Sequence, residues 1–229
     1  MCYWTNAMST TTHASLDLMQ ALVAHRHDKA KRDELSKVGR YSMLHLDVLV
    51  LAHHLARICD GPILEIGSFV GGSTIAAALG VRASGQAKRF ISIEPGGRLK
   101  GHKLATRDIF KRLKKNLARF GVSDAVTLIN SCAEDASAVS TVQEALAPGT
   151  VGLFIFDAHS NVGHDLELYG DRLKDECWVI IDDYFGPSEK AGPTRAQVDE
   201  WVNAGRLSTL GFFGWGTWVG QWRSTRQSI

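Results

Sequence analysis

From residue 60 onward, short and nearly continuous apolar runs alternate with segments whose apolar residues recur every three to four positions. The short runs predict strands: "ILEI" (63–66), "RFISIE" (89–94), "AVTLI" (125–129), "VGLFIF" (151–156) and "CWVIID" (177–182). The longer segments predict helices over 73–83, 103–120, 134–147, 164–175 and 194–204. Strands that are apolar on both faces and separated by helices form a parallel sheet covered on both sides. The tail "RLSTLGFFGWGTWVGQW" departs from this rhythm. Its two β-rich runs flank Gly-Trp-Gly and leave no room for a crossover helix, so they predict an antiparallel hairpin closing the sheet edge. The expected fold is α/β, with seven strands, mostly parallel, the last antiparallel, and helices on both faces.

Ahead of this body, residues 41–58 have helical spacing and stop at Asp60-Gly61-Pro62, a chain-turning signal. Residues 15–37 predict one helix with a densely charged end, and residues 1–14 a loose polar segment. The division expected is an N-terminal extension, 1–40, acting as a lid or oligomer contact, and a main domain, 41–229. The aromatics in "MCYWTNAM" suit a lid that orders on binding, and a disordered terminus fits the polar surroundings equally well.

Composition narrows the class. The 229 residues are 45% hydrophobic and 22% charged, with a net charge of +2. That balance gives no strong field for nucleic acid or membrane. No apolar run approaches the roughly 20 residues of a membrane span, and the first thirty residues hold no signal-like apolar segment. The four cysteines, Cys2, Cys59, Cys132 and Cys177, form no CxxC pair. This argues against a zinc knuckle or disulfide framework and fits a reducing cytoplasm.

The chemistry concentrates in "ILEIGSFVGGSTIAAA" (63–78). An apolar strand ends in Glu65, followed by Gly67, Gly71 and Gly72 and then a helix-forming run. Gly67 and Gly71 allow close approach of a ligand, and the helix opening near Ser73 offers free N–H groups. The spacing is not G-x-G-x-x-G, so the dinucleotide fingerprint is missing. A carboxylate beside the turn repels a pyrophosphate and attracts an ammonium group. Glu94, ending the next strand, can accept both hydroxyls of a ribose. Amino acid plus ribose points to S-adenosylmethionine.

Motif, Glu94 and closing hairpin, in that order, resemble the class I methyltransferases over residues 41–222, whose fold is Rossmann-like. The resemblance implies cofactor contacts from Glu65, Gly67, Ser68, Phe69, Gly71, Ser73 and Glu94. It adds Ser131, Cys132 and Ala133, in "NSCAEDA", at the adenine edge, and Asp157. Taken singly, Glu94 also reads as a surface acid and "SCAED" as a capped helix start.

Asp157 follows the fourth strand, and Asp182 and Asp183 the fifth. If those strands are neighbours, three carboxylates converge, an arrangement that calls for a proton or a cation. An all-oxygen set suits Mg²⁺. The pattern resembles the metal-dependent small-molecule O-methyltransferases of the macrolide-sugar and cephalosporin branch, which implies metal ligation by Asp157, Asp182 and Asp183. It departs from them in lacking one acid of their D-x-D-H-S segment: here the chain reads Asp157-Ala158-His159-Ser160. Asp157 and His159 are the expected catalytic pair, His159 as general base, with His164 and Tyr184 as further candidates. The expected partner is a small hydroxylated acceptor, with Trp215 a possible pocket wall and a homo-oligomer possible. The nine Lys and Arg of 98–119 read as a solvated helix face. Rival readings are metal-free N- or carboxyl-methylation and a non-catalytic domain that binds cofactor or a protein partner.

Overall fold

A computed structural model describes residues 5–224, with side chains from residue 12. Seven strands form one sheet: β1 (Ile63–Ile66), β2 (Phe90–Ile93), β3 (Thr127–Ile129), β4 (Val151–Phe156), β5 (Leu173–Ile181), β6 (Leu207–Phe213) and β7 (Thr217–Trp222). The order is β3-β2-β1-β4-β5-β7-β6. The first five strands are mutually parallel, and β7 pairs antiparallel with both β5 and β6. The fold is therefore the expected Rossmann-like sheet, with the strand order reversing between β1 and β4.

Side chains alternate between two cores because successive strand residues point to opposite faces. Leu153 and Ile155 of β4 enter one core with α3 (Leu46–Ile58), α4 (Gly72–Ser84) and α5 (Ile109–Arg119). Phe154 and Phe156 enter the other, under α6 (Ala136–Ala145), α7 (Val162–Tyr169) and α8 (Ala191–Asn203).

The amino-terminal segment is not one helix. It folds as α1 (Thr5–His27) and α2 (Lys29–Gly39). The break falls at Asp28, which is extended and whose carboxylate accepts the Lys31 N–H, an N-cap inside a run that reads as continuous helix. Thr5 already begins α1, so residues 5–14, expected to be loose, are helical. Residues 1–4 of the candidate lid lie outside the described residues. Leu18, Leu35 and Val38 join the α3–α4 core, and Ser15 Oγ donates to Leu210 O of β6 at 3.1 Å.

Two other expectations need correction. Residues 164–175 are not one helix: α7 ends at Tyr169, a single 3-10 turn follows, and β5 begins at Leu173. The helix expected over 103–120 starts at Ile109, where Asp108 caps it by accepting the Lys111 N–H at 2.8 Å. No helix among the described residues is long and apolar enough to cross a membrane.

Candidate active site

Strand register assembles the site. Ile93, Ile66, Phe156 and Ile181 sit side by side at the carboxyl ends of β2, β1, β4 and β5. The next residues, Glu94, Gly67, Asp157 and Asp182, therefore form one row along that edge. The Gly67 N–H donates to Ile93 O, the Asp157 N–H to Ile66 O and the Asp182 N–H to Phe156 O, at 2.9–3.0 Å. Above the row lies a cavity of about 300 Å³ lined by Gly67, Phe69, Glu94, Cys132, Ala133, Asp157, His159 and Lys190, among others.

The glycines also serve packing within the protein. A Cβ on Gly67 (φ +89°) would stand 2.1 Å from Asp157 O, and one on Gly71 (φ +102°) 2.9 Å from a Leu113 methyl. They permit a close approach of the protein to itself, β1 against the end of β4 and the turn against α5. Phe69 is also left-handed, at φ +49°. Its N–H donates to Glu94 Oε2 at 2.7 Å, which fixes this unfavourable conformation in place.

Glu94 is buried and lines the cavity. Its other oxygen accepts the Gly96 N–H at 2.8 Å, and burial holds its carboxyl above the usual range. Glu65 lies one layer deeper, fully buried and not on the cavity wall. It points to the α4 side, where Oε2 accepts the hydroxyls of Thr74 (2.7 Å) and Ser92 (2.5 Å). Its Oε1 is buried without a hydrogen-bond partner, and burial raises its pKa. Neither glutamate is drawn into an ion pair elsewhere among the described residues. Ser68 is buried, its hydroxyl bonded to that of Ser92, and Ser73 is buried in the first turn of α4. Cys132 and Ala133 reach the cavity. Ser131 does not line it; its hydroxyl donates to Asp135 Oδ2 at 2.5 Å.

At the other end of the row, one carboxylate oxygen from each of Asp157, Asp182 and Asp183 lies within 4.8 Å of the others. Burial, then the neighbouring Asp182, drives the Asp157 carboxyl well above its ordinary value, and burial raises Asp182. Thr217 Oγ1 donates to Asp182 at 2.5 Å and Ser188 Oγ to Asp183 at 3.0 Å. Asp183 is left-handed, at φ +57°. Lys190, which no sequence pattern singled out, donates to Ala158 O at 2.6 Å and stands 3.7 Å from Asp183 Oδ2.

The candidate bases are placed less favourably. His159 lines the cavity, but its Nδ1 accepts the Asn161 N–H at 3.1 Å and its Nε2 faces Asp165 Oδ2 at 3.3 Å. Only Nδ1 is hydrogen-bonded; Asp165 Oδ2 has no hydrogen-bond partner. Asp165, also unseen in sequence reasoning, is fully buried on α7, and burial pushes its pKa up to about 7. Tyr184 donates to Asp199 at 2.6 Å, and burial together with that bond raises its pKa to about 12. His164 is exposed, 4.0 Å from Glu167, and does not line the cavity.

A reversed strand order, a glycine turn and acids along the carboxyl edge of the sheet define a class I, S-adenosylmethionine-dependent methyltransferase. The family profile described as "Methyltransferase domain" matches residues 64–184, just over half of the chain, and the chain belongs to that family. Curated proteins give no significant match. Among solved structures, the fold is similar to the O-methyltransferase TomG of Streptomyces achromogenes, involved in tomaymycin synthesis and bound to S-adenosylmethionine. That likeness has a TM-score of 0.59 and 18% identity, covering 90% of this chain and 89% of that one. A Bacillus cereus O-methyltransferase in complex with S-adenosylhomocysteine gives 0.55 and 15%, covering 92% and 90%. A structural-genomics protein of Corynebacterium glutamicum gives 0.60 and 12%, covering 91% and 92%.

Proposed function

We propose that this methyltransferase transfers the methyl group to a hydroxyl of a small molecule in the cytoplasm, assisted by Mg²⁺. The observation that carries the reading is the single row of Glu94, Gly67, Asp157 and Asp182, extended by Asp183. Glu94 and Asp157 line one cavity, and Asp182 and Asp183 converge beside Asp157. The cofactor fits this wall through Glu94, which presents a buried carboxylate to the cavity; Glu65 sits one layer behind, bonded to Thr74 and Ser92, and does not line it. The metal fits on its donor set: three carboxylate oxygens within 4.8 Å form the hard, all-oxygen environment Mg²⁺ prefers.

S-adenosylmethionine, when bound, supplies an electrophilic methyl group. Mg²⁺, held by Asp157, Asp182 and Asp183, would act as Lewis acid and template for the acceptor oxygen. The residues of the chain do the positioning. Glu94 grips the sugar diol while its bonds to Phe69 and Gly96 keep the carboxylate still. Cys132 and Ala133 edge the base. Thr217 and Ser188 orient Asp182 and Asp183, and Lys190 balances part of their charge. Holding the acceptor oxygen in line with the methyl carbon supplies much of the rate. Tyr184, Phe185 and Phe212 cluster edge-on and tilted, with ring centroids 4.7–5.0 Å apart, just past the acid pair, and Met43 lines the cavity half exposed, an apolar flank suited to a small organic acceptor.

A second reading is metal-free transfer, with Lys190 as the resident cation of the acid cluster, favoured by its 3.7 Å approach to Asp183. Calorimetry with S-adenosylhomocysteine tests the cofactor, and turnover of hydroxylated acceptors with Mg²⁺ or with a chelator separates the two readings. No binding heat ends the cofactor assignment; full turnover in chelator ends the metal one.

A further inference from the structure

The helices α1, α2 and α3 enclose a second cavity of about 310 Å³. It lies toward the carboxyl end of α3, whose amino end begins just past the crevice-lining Met43. Two histidines on its wall have no task. His25 of α1 and His53 of α3 are only 8% and 7% exposed. His25 Nε2 is buried without a hydrogen-bond partner, and the His53 imidazole makes no hydrogen bond or ion pair among the described residues. Burying a polar ring unsatisfied is unfavourable unless something else completes it.

The charges around the cavity show what is missing. Asp17 is engaged by His54 Nε2 at 2.8 Å. Asp28 is engaged by the Lys31 N–H at 3.1 Å and by Lys31 Nζ at 3.2 Å. Both carboxylates on the wall are thus occupied. Arg57 reaches only His54 Nδ1, at 3.5 Å, and has no carboxylate partner among the described residues. The His53 ring is held near pKa 4, first by burial and then by the positive charges of Lys31 and Arg57. The wall thus carries one guanidinium without a carboxylate partner and two imidazoles that can each donate one N–H.

We propose that this cavity binds a phosphate group, free or carried by a small phosphate monoester, through Arg57 and the imidazoles of His25 and His53. A guanidinium fork matches two oxygens of a phosphate, and a neutral imidazole supplies one N–H each. Donors reaching in from α1 and α3 suit a tetrahedral oxyanion. The volume lies at the low end of small-molecule sites, which leaves room for a short organic tail. A metal is not the occupant. The only group of three metal-capable side chains that converge among the described residues is Asp157, Asp182 and Asp183.

The test is a titration of the full chain with inorganic phosphate and with glycerol phosphate at constant ionic strength, following histidine ring resonances by NMR. The His25 and His53 signals are assigned with His25→Asn and His53→Gln. Both signals should move saturably, with a dissociation constant below about 10 mM. The exposed substitution Arg57→Ala should weaken binding about tenfold or more while leaving S-adenosylhomocysteine affinity unchanged. Tighter binding of the ester than of phosphate identifies a phosphorylated metabolite; equal binding identifies the free anion. Non-saturating shifts, or identical curves for wild type and Arg57→Ala, overturn the proposal.

Discussion

The Nε2 atom of His159 lies 3.3 Å from Oδ2 of Asp165, a carboxylate shielded completely from solvent on α7. The imidazole that the sequence offers as a base thus stands beside a carboxylate that burial gives an elevated pKa of about 7.

Asp165 therefore costs stability at alkaline pH. Its folded pKa exceeds its unfolded value near 4, so the folded state binds more protons between about pH 4 and pH 7, and stability falls as pH rises through that window. Asp165→Asn should stabilise the protein by up to about 3 kcal/mol at pH 8 and have little effect at pH 4, as read from urea midpoints across pH.

His53 gives the opposite slope. Its pKa is depressed to about 4, so the unfolded state binds the extra proton between about pH 6.5 and pH 4. Stability is complete above that window and is lost as pH falls through it. His53→Gln should flatten this acid limb by about 2–3 kcal/mol, measured by thermal unfolding at pH 7 and pH 4.5.

Gly67→Ala should be among the most damaging substitutions. Its Cβ would sit 2.1 Å from a backbone oxygen, in a left-handed conformation. A loss of about 3 kcal/mol or more is expected, read as a lowered melting temperature or insoluble expression. A melting temperature equal to wild type would contradict the described contact between β1 and β4.

Glu94→Gln should weaken S-adenosylhomocysteine binding about tenfold, and Glu94→Ala about a hundredfold, since a charge-assisted bond contributes about 1.5–3 kcal/mol. Calorimetry reads the affinity. Circular dichroism must show an intact fold, because Glu94 also accepts two backbone N–H groups.

Asp182→Asn should lower Mg²⁺-stimulated turnover about a hundredfold or more while leaving cofactor-product affinity within about twofold of wild type. Unchanged turnover would remove the metal from the proposal.

Much of the fold was legible because strand periodicity and the chain-turning residues agree along the chain. The row of acids follows from strand register alone: a residue that ends a strand must stand beside the residue that ends its neighbour. The remainder depended on contacts distant in sequence. Asp28 lies in a run whose charges read as continuous helix, and only its cap on Lys31 divides α1 from α2. Lys190 reaches the acid cluster because the segment after Asp183 folds back on the end of β4. Asp165 carries a polar residue's signal yet faces inward, with nothing nearby in sequence to announce it. The packing of Gly67 against the backbone of Asp157 was likewise invisible, because it joins residues ninety positions apart.

The sequential order of β6 and β7 is inverted in space, with β7 between β5 and β6. A nascent chain that has not yet emerged as far as Trp222 therefore presents β5 with an open hydrogen-bonding edge, carrying the apolar "WVII" stretch. During synthesis that edge is exposed to adhesion between growing chains until the hairpin slots in. Ribosome-stalled fragments cut back before Thr217 should accordingly depend on chaperones far more than the 229-residue chain does.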